Sequence, residues 1–429
     1  MSGLIGVAAL LALLAIGVPI GVAMGFVGLA GMCLLIGFEP ALIKSGVVLF
    51  ETVTRYELGV LPLFLLMAHL CFAAGASRDF FAAAASMVGH RRGGLALATI
   101  AGCAGFGAVS GSSLATAATM GLIGLPEMRK RGYSTALASG SVAAGGTLGS
   151  LTPPSGALIV FGIIAEQSIG KLFTAAIIPA LTQTMFYMLA IILVCRFRPS
   201  IAPPSPRATW AERRAAIFRV LDLAALVTLV LTGIAVGWFT PTEAASVGAL
   251  LALVLCAIRR RLTWQSLGEA LANTLKTTGM LYVVIVGALI FAVFMSFTGL
   301  AEQVSALVHG LNGSPMMAII AITVLLLLLG SVLDGLALML LTTPILLPII
   351  TDLGFSPIWF GIFLVRTMEI GFVHPPIGIN LYVIQSIAPD IPLSRVFKGV
   401  LPFLAADFVH LALLIALPVL TLGLPALLS

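Results

Sequence analysis

Charge is what this sequence has least of. Only 9% of its 429 residues are Asp, Glu, Lys or Arg, whereas a soluble chain of that length needs about 25% to cover its surface. Cysteine is sparse as well: Cys33, Cys71, Cys103, Cys195 and Cys256 stand singly in apolar segments, without a Cys-x-x-Cys or a Cys/His spacing. Neither a disulfide framework nor a structural metal site is indicated. The chain has no His-Glu-x-x-His and no Walker sequence, so metalloprotease chemistry and ATP-driven transport are unsupported. Its net charge of +6 does not indicate nucleic acid, because the basic residues gather between apolar segments, as the positive-inside rule describes.

What the chain does have is hydrophobic length. Sixty per cent of residues are hydrophobic, and apolar runs of about 18 residues or more recur from end to end, the mark of a polytopic membrane protein in contact with lipid. The first apolar run starts at residue 3 without a basic leader or cleavage site, and reads as a retained span. Residues 3–37 divide at Gly17–Gly21 into two spans. Residues 39–57 mix Glu39, Lys44, Glu51, Arg55 and Glu57 with apolar positions and read as an interfacial amphipathic helix. A span at 58–76 and a polar loop at 77–92 follow.

Residues 93–125 are apolar but rich in Gly, Ala and Ser, with Arg91 and Arg92 before them and Arg129, Lys130 and Arg131 after. Basic flanks on both sides predict a hairpin that enters and leaves the membrane on one face, its tip at Ser110–Ser113. The segment 134–165 carries Gly149-Ser-Leu-Thr-Pro-Pro-Ser-Gly156, where Pro-Pro cannot continue a helix and opens it. A span at 172–195 and a basic, Pro-rich linker at 196–219 close the first half.

The second half repeats this plan. Gly371-Phe-Val-His-Pro-Pro-Ile-Gly378 lies 222 residues after the first break, Pro241 lies 222 after Pro19, and Leu347-Pro348 lies 222 after Leu125-Pro126. Gly107 and Val109 align with Gly330 and Val332 at 223. An offset held across such landmarks is an internal duplication. The second set comprises spans at 220–239 and 242–258, an interfacial stretch at 262–276, and a span at 278–298. A hairpin at 315–350 with Asp334 at its tip, a broken helix at 357–388 and a last span near 400–426 complete it. Each half, 1–195 and 220–429, then has five spans besides its hairpin, so the second is inverted relative to the first. With both termini outside, the second hairpin, flanked by Asn312 and Asp352, enters from outside, and cytoplasmic segments hold eighteen of the 22 Lys and Arg.

Two broken helices at matched positions are the strongest sequence pointer to a transporter's binding site. Hydroxyls and freed carbonyls suit a hard cation such as Na⁺. The candidates are Ser110, Ser112, Ser113, Gly149, Thr152 and Pro153 in the first half, and Asp334, Gly371 and His374 in the second. Helix N-termini after Pro154 and Pro376 suit an anionic substrate, with Ser155, Asn380 and Thr152 as hydrogen-bonding candidates. Bland roles stand beside these: small residues that pack helices closely, Asp334 as a turn cap, and His374, His69 and His410 as packing or hydrogen-bonding residues. Arg366 and Glu369, three apart, read as an ion pair, and Trp210, Trp238, Trp264 and Trp359 as interfacial anchors. Ser110-Gly111 has part of the Gly-x-Ser-Gly pattern of intramembrane serine proteases. Position 108 is Ala, however, and no His is spaced to pair with the serine, so an enzyme is not expected.

Several motifs resemble one family. In the first half these are Gly111-Ser-Ser-x-Ala-Thr116, Pro126-Glu-Met-x-x-Arg-Gly-Tyr133, Gly146-Thr-Leu-Gly-x-Leu-x-Pro-Pro-Ser155 and Gln167-Ser-Ile-Gly-Lys-Leu-Phe173. In the second they are Leu341-Thr-x-Pro-Ile345 and Glu369-Ile-Gly-x-x-x-Pro-Pro-x-Gly-x-Asn-Leu-Tyr382. Together they resemble the large membrane subunit of the tripartite ATP-independent periplasmic (TRAP) transporters over essentially the whole chain. The resemblance implies an all-α, elevator-type transporter of the ion transporter superfamily in the bacterial inner membrane, driven by a sodium gradient. It implies a separate small four-helix membrane subunit and a periplasmic solute-binding protein that delivers an organic acid. The family's sodium sites carry onto Ser110, Ser113, Gly149, Thr152 and Pro153, and onto Asp334, Gly371 and His374, where the family often has Thr in place of His374. A stand-alone sodium/carboxylate symporter of related fold and a channel or structural membrane subunit are the alternatives.

Overall fold

A computed structural model describes residues 2–300, 302–303, 315–331, 333–375 and 377–428. Among the described residues every regular element is helical. Asn312, Val332 and Pro376, used above as a flank, a repeat landmark and a break, lie outside them. Among the described residues seven helices are long and apolar enough to cross a membrane, eight if one bent pair counts as a span, so the chain is a multi-pass membrane protein.

The first half starts with α1 (Ser2–Ala15) and α2 (Ile20–Ile36), separated by the turn before Pro19. α3 (Phe38–Thr54) is the expected amphipathic helix, and a 3-10 turn (Tyr56–Gly59) leads into α4 (Val60–Ala73). The polar loop expected at 77–92 is mostly a helix, α5 (Ala76–Val88). Its alanines favour helix, its Phe81 face is buried, and Asp79 meets Arg259 at 2.6 Å. α6 (Gly94–Ser110) and α7 (Ser113–Lys130) form the first helical hairpin. α8 (Thr135–Leu151) and α9 (Gly156–Ile164) are the two limbs of the first broken helix, bent by 42° at the proline pair. α10 (Ile169–Phe197) returns across the bundle.

In the second half, α11 (Trp210–Ala235) and α12 (Pro241–Ile258) each begin with a Thr–Glu capping box. The stretch 262–276 and the span 278–298, expected as two helices, are one: α13 (Trp264–Thr298), 35 residues long. Thr277, Thr278 and Gly279 at the junction are weak helix formers, but none of them breaks a helix. At 1.5 Å per residue it extends about 50 Å, longer than the hydrocarbon core. The corresponding region of the first half is divided by the 3-10 turn, so the halves differ here. α14 (Pro315–Gly330) and α15 (Gly335–Asp352) form the second hairpin. α16 (Pro357–Gly371) and α17 (Ile379–Ile387) form the second broken helix. The last span is α18 (Leu393–Ala416), which ends before Pro418 and is followed by α19 (Val419–Leu428) rather than continuing to 426.

The centre of the bundle is built from the first limbs of the two broken helices. Every residue of α8 from Leu137 and of α16 from Trp359 is buried. Small residues bring α8 within backbone contact of α18: a Cβ on Gly140 would lie 2.2 Å from the Gly399 carbonyl oxygen. Trp210, Trp238 and Trp264 are exposed at helix ends as expected. Trp359 is not an interfacial anchor: it is 1% exposed, stacked between Phe355 and Phe363, and donates to the Leu414 carbonyl at 3.1 Å.

Candidate functional site

The tip of the first hairpin is pressed against the first helix break. α6 ends at Ser110, and Gly111 takes φ +61°, where an added Cβ would stand 2.8 Å from the Pro154 carbonyl oxygen. Only glycine combines that backbone with that approach. The Gly111 carbonyl accepts from the Gly156 N–H at 3.2 Å, tying tip to break. A Cβ on Gly149 would fall 2.5 Å from the Ser112 carbonyl oxygen and 2.6 Å from the Thr116 hydroxyl. The second half makes the same close approach: a Cβ on Gly371 would lie 2.6 Å from the Gly330 carbonyl oxygen.

These junctions frame a cavity of about 170 Å³. Ser110, Ser112, Ser113 and Ser155 line it from the first half, and Asp334, Met368 and Phe372 from the second. Ser110 bonds the Thr116 hydroxyl at 2.7 Å, Ser112 caps α7, and Ser155 donates to the Ser150 carbonyl while capping α9. Asp334 caps α15, accepting from the Leu336 N–H at 3.2 Å, with its side chain still exposed to the cavity.

Gly149, Thr152, Pro153, Gly371, His374 and Asn380 are not on the cavity wall. Thr152 and His374 each hold a buried polar atom, the Thr152 hydroxyl and His374 Nδ1, with no hydrogen-bond partner among the described residues. Such orphans beside a helix break are what a cation or water satisfies. Asn380 is fully buried on the far side: its amide donates to the Ala143 carbonyl of α8 at 3.2 Å.

A buried polar cluster lies behind the first tip, built from residues far apart in the sequence. Glu369 does not pair with Arg366, as its i, i+3 spacing suggested. Arg366 forms its ion pair with Asp407 of α18, which also accepts from Gln183 at 2.8 Å. Glu369 turns to the opposite half, where the Ser113 hydroxyl donates to its carboxylate at 2.6 and 2.8 Å. The Ser113 hydroxyl also lies 2.9 Å from that of Ser150, and Thr147 of the same helix bonds Tyr187 at 2.9 Å. His410, expected as a packing residue, lies tilted against Phe186 and bonds the Thr182 hydroxyl at 2.8 Å. The signal available in sequence was Asp407, a carboxylate in an apolar span that demands a partner and competes with Glu369 for Arg366.

Residues 7–420 match the family model described as the tripartite ATP-independent periplasmic transporter, DctM component. The chain is 36% identical over 400 residues to the C4-dicarboxylate TRAP transporter large permease protein of Pseudomonas aeruginosa, covering 93% of each. It is 33% identical over 424 residues to the sialic acid large permease of Vibrio cholerae, covering 97% of each. It is 30% identical over 421 residues to the 2,3-diketo-L-gulonate large permease of Escherichia coli, again covering 97% of each. Among solved structures, the fold resembles the YdaH transporter of Alcanivorax borkumensis, with a TM-score of 0.58 at 17% identity and 90% coverage of each chain. These relatives are transport permeases rather than enzymes, and on that match, over nearly its whole length, the chain belongs to the family of TRAP transporter large membrane subunits.

Proposed function

We propose that this chain is the translocating subunit of a sodium-driven importer of a small organic anion, fed by a periplasmic binding protein and joined to a small four-helix membrane subunit. The observation that carries this is the shared cavity: both hairpin tips and both broken helices contribute to its wall. The relatives' named substrates, a C4-dicarboxylate, sialic acid and a diketo sugar acid, are all small organic acids, and the positive end of the α9 dipole beside Ser155 favours such an anion. Sodium would be held where tip meets break, by Ser110, Ser113 and carbonyls around Gly149, Thr152 and Pro153, and in the second half around Gly371, His374 and Asp334. The orphaned atoms of Thr152 and His374 support that placement.

The matched element order of the two halves supports an inverted repeat, and the basic linker and loops support periplasmic termini. In this reading the hairpins and broken helices move together as an elevator against a scaffold that includes α3 and α13. Net inward movement of positive charge gains about 2.3 kcal/mol per charge per 100 mV, which drives accumulation.

Uptake into proteoliposomes holding this chain and its small partner tests the proposal, with the sodium gradient varied and the binding protein present or omitted. Uptake that needs both, and falls at least about tenfold in Ser113→Ala and Asp334→Asn, is the expected result. Sodium-driven uptake without the binding protein would indicate a stand-alone symporter. Uptake indifferent to sodium would refute the coupling, and flux beyond the gradient's limit would indicate a channel.

A further inference from the structure

We propose that Glu369 is a direct oxygen ligand of a monovalent cation site shared between the two halves of the chain, completed by Ser113, Ser150 and the Thr147 carbonyl. The inference rests on the sodium-coupled reading above and adds to it a charged ligand from the second broken helix.

Charge arithmetic leads to it. The ionisable groups that interact with Glu369 from the elements packed around it are Arg366 and Asp407, with Tyr187 beyond them. Arg366, Glu369 and Asp407 are each buried, at 1%, 0% and 0% exposure. Arg366 is paired with Asp407, so with both carboxyls ionised the three groups sum to one negative charge, which Arg366 counters only in part. A bare carboxylate in a dry protein interior is strongly disfavoured unless a cation or several donors compensate it.

The donors present are few. The Ser113 hydroxyl stands 2.6 and 2.8 Å from the two carboxylate oxygens, but it has one proton and serves one oxygen at a time. Ser150 is the second hydroxyl that hydrogen-bonds the carboxyl and lies 2.9 Å from that of Ser113, so two protons face two carboxylate oxygens, and the Thr147 carbonyl, 3.4 Å from the Ser113 hydroxyl, adds only an acceptor. Four oxygen-bearing groups therefore converge with more lone pairs than protons, which is the composition of a site for a hard cation. One monovalent ion neutralises the cluster, whereas a divalent ion would leave a buried positive charge. An anionic substrate is excluded from this spot by the same carboxylate.

The arrangement also spans the molecule. Ser113 belongs to the first hairpin, Thr147 and Ser150 to the first broken helix, and Glu369 to the second. Ser113 and Ser150 also line the cavity. An ion held there stitches the hairpin tip to both central helices.

The test uses the full chain purified with its small membrane partner. Binding of radiolabelled sodium and sodium-dependent thermal stabilisation, against choline as control, are measured for the wild type, Glu369→Gln and Ser150→Ala. Glu369→Gln is expected to lower sodium affinity at one site by at least about tenfold, with a smaller loss in Ser150→Ala. Wild-type sodium binding in a folded Glu369→Gln overturns the proposal and leaves the carboxyl holding a proton instead. Should Glu369→Gln fail to fold, unchanged sodium affinity in folded Ser150→Ala overturns it equally. A wild type that binds no sodium at all refutes the sodium-coupled reading itself, a result distinct from both.

Discussion

At the scale of single residues, burial turns small choices of partner into large energies. Arg366 and Asp407 are both buried and bonded to each other, so removing one leaves the other as an uncompensated charge. Arg366→Leu is expected to destabilise the chain by about 3–5 kcal/mol, and the double variant Arg366→Leu/Asp407→Leu to recover much of that loss. Thermal unfolding of the three variants in detergent checks it; a double variant as unstable as the sum of the single ones would show that the two residues act independently. Which carboxylate took the arginine was not readable from spacing. An i, i+3 relation places Arg366 and Glu369 on neighbouring faces of one helix, and only the positions of α18 and the first hairpin determine where each side chain finds its partner.

At the scale of elements, the hairpin tips and helix breaks fit by backbone contact. Gly371→Ala forces a Cβ to within 2.6 Å of the Gly330 carbonyl oxygen. An overpacked contact of that kind costs about 1–3 kcal/mol, and the variant is expected to lose sodium-driven uptake more than expression; full uptake in Gly371→Ala would mean that the two elements separate freely. A second element-scale contact lies outside the spans, where Arg129 at the end of α7 bonds Asp390 in the turn after α17. That hydrogen bond holds the Asp390 carboxyl below its ordinary value. A depressed carboxyl stabilises the fold above its unfolded pKa of about 3.9 and loses that contribution as pH falls through the lower folded value. Asp390→Asn is therefore expected to be slightly less stable than wild type near neutral pH, with the difference vanishing in strong acid. A difference constant with pH would assign the effect to something other than this pair.

At the scale of the whole molecule, orientation is the property most open to test. The proposed topology puts Lys171 outside and Arg214 in the cytoplasmic linker, both on exposed surface. In a cysteine-free background, an impermeant maleimide applied to intact cells whose outer membrane has been permeabilised is expected to label Lys171→Cys and not Arg214→Cys. The reverse pattern would invert the molecule and with it the direction of both hairpins.

Much of the architecture was legible in the sequence because it depends on local chemistry. Pro153-Pro154 has to open a helix wherever it stands, a low-charge chain has to be membrane-embedded, and Gly111-Ser-Ser113 has to turn. The matched spacing of the landmarks implies two hairpins and two helix breaks. Boundaries that depend on continuity were harder to read: α13 runs unbroken through Lys276 and Gly279 because nothing there forbids helix, and α5 is a helix because its alanines permit one.

The tertiary structure alone decided where the buried polar groups point. Trp359 went into the core, Asn380 to a backbone carbonyl of α8, and Glu369 across to Ser113, 256 residues away in sequence. Helix breaks and spans follow from forces that act within a turn or two of the chain. The partner of a buried charge is set by which helices meet, and no local pattern contains that information.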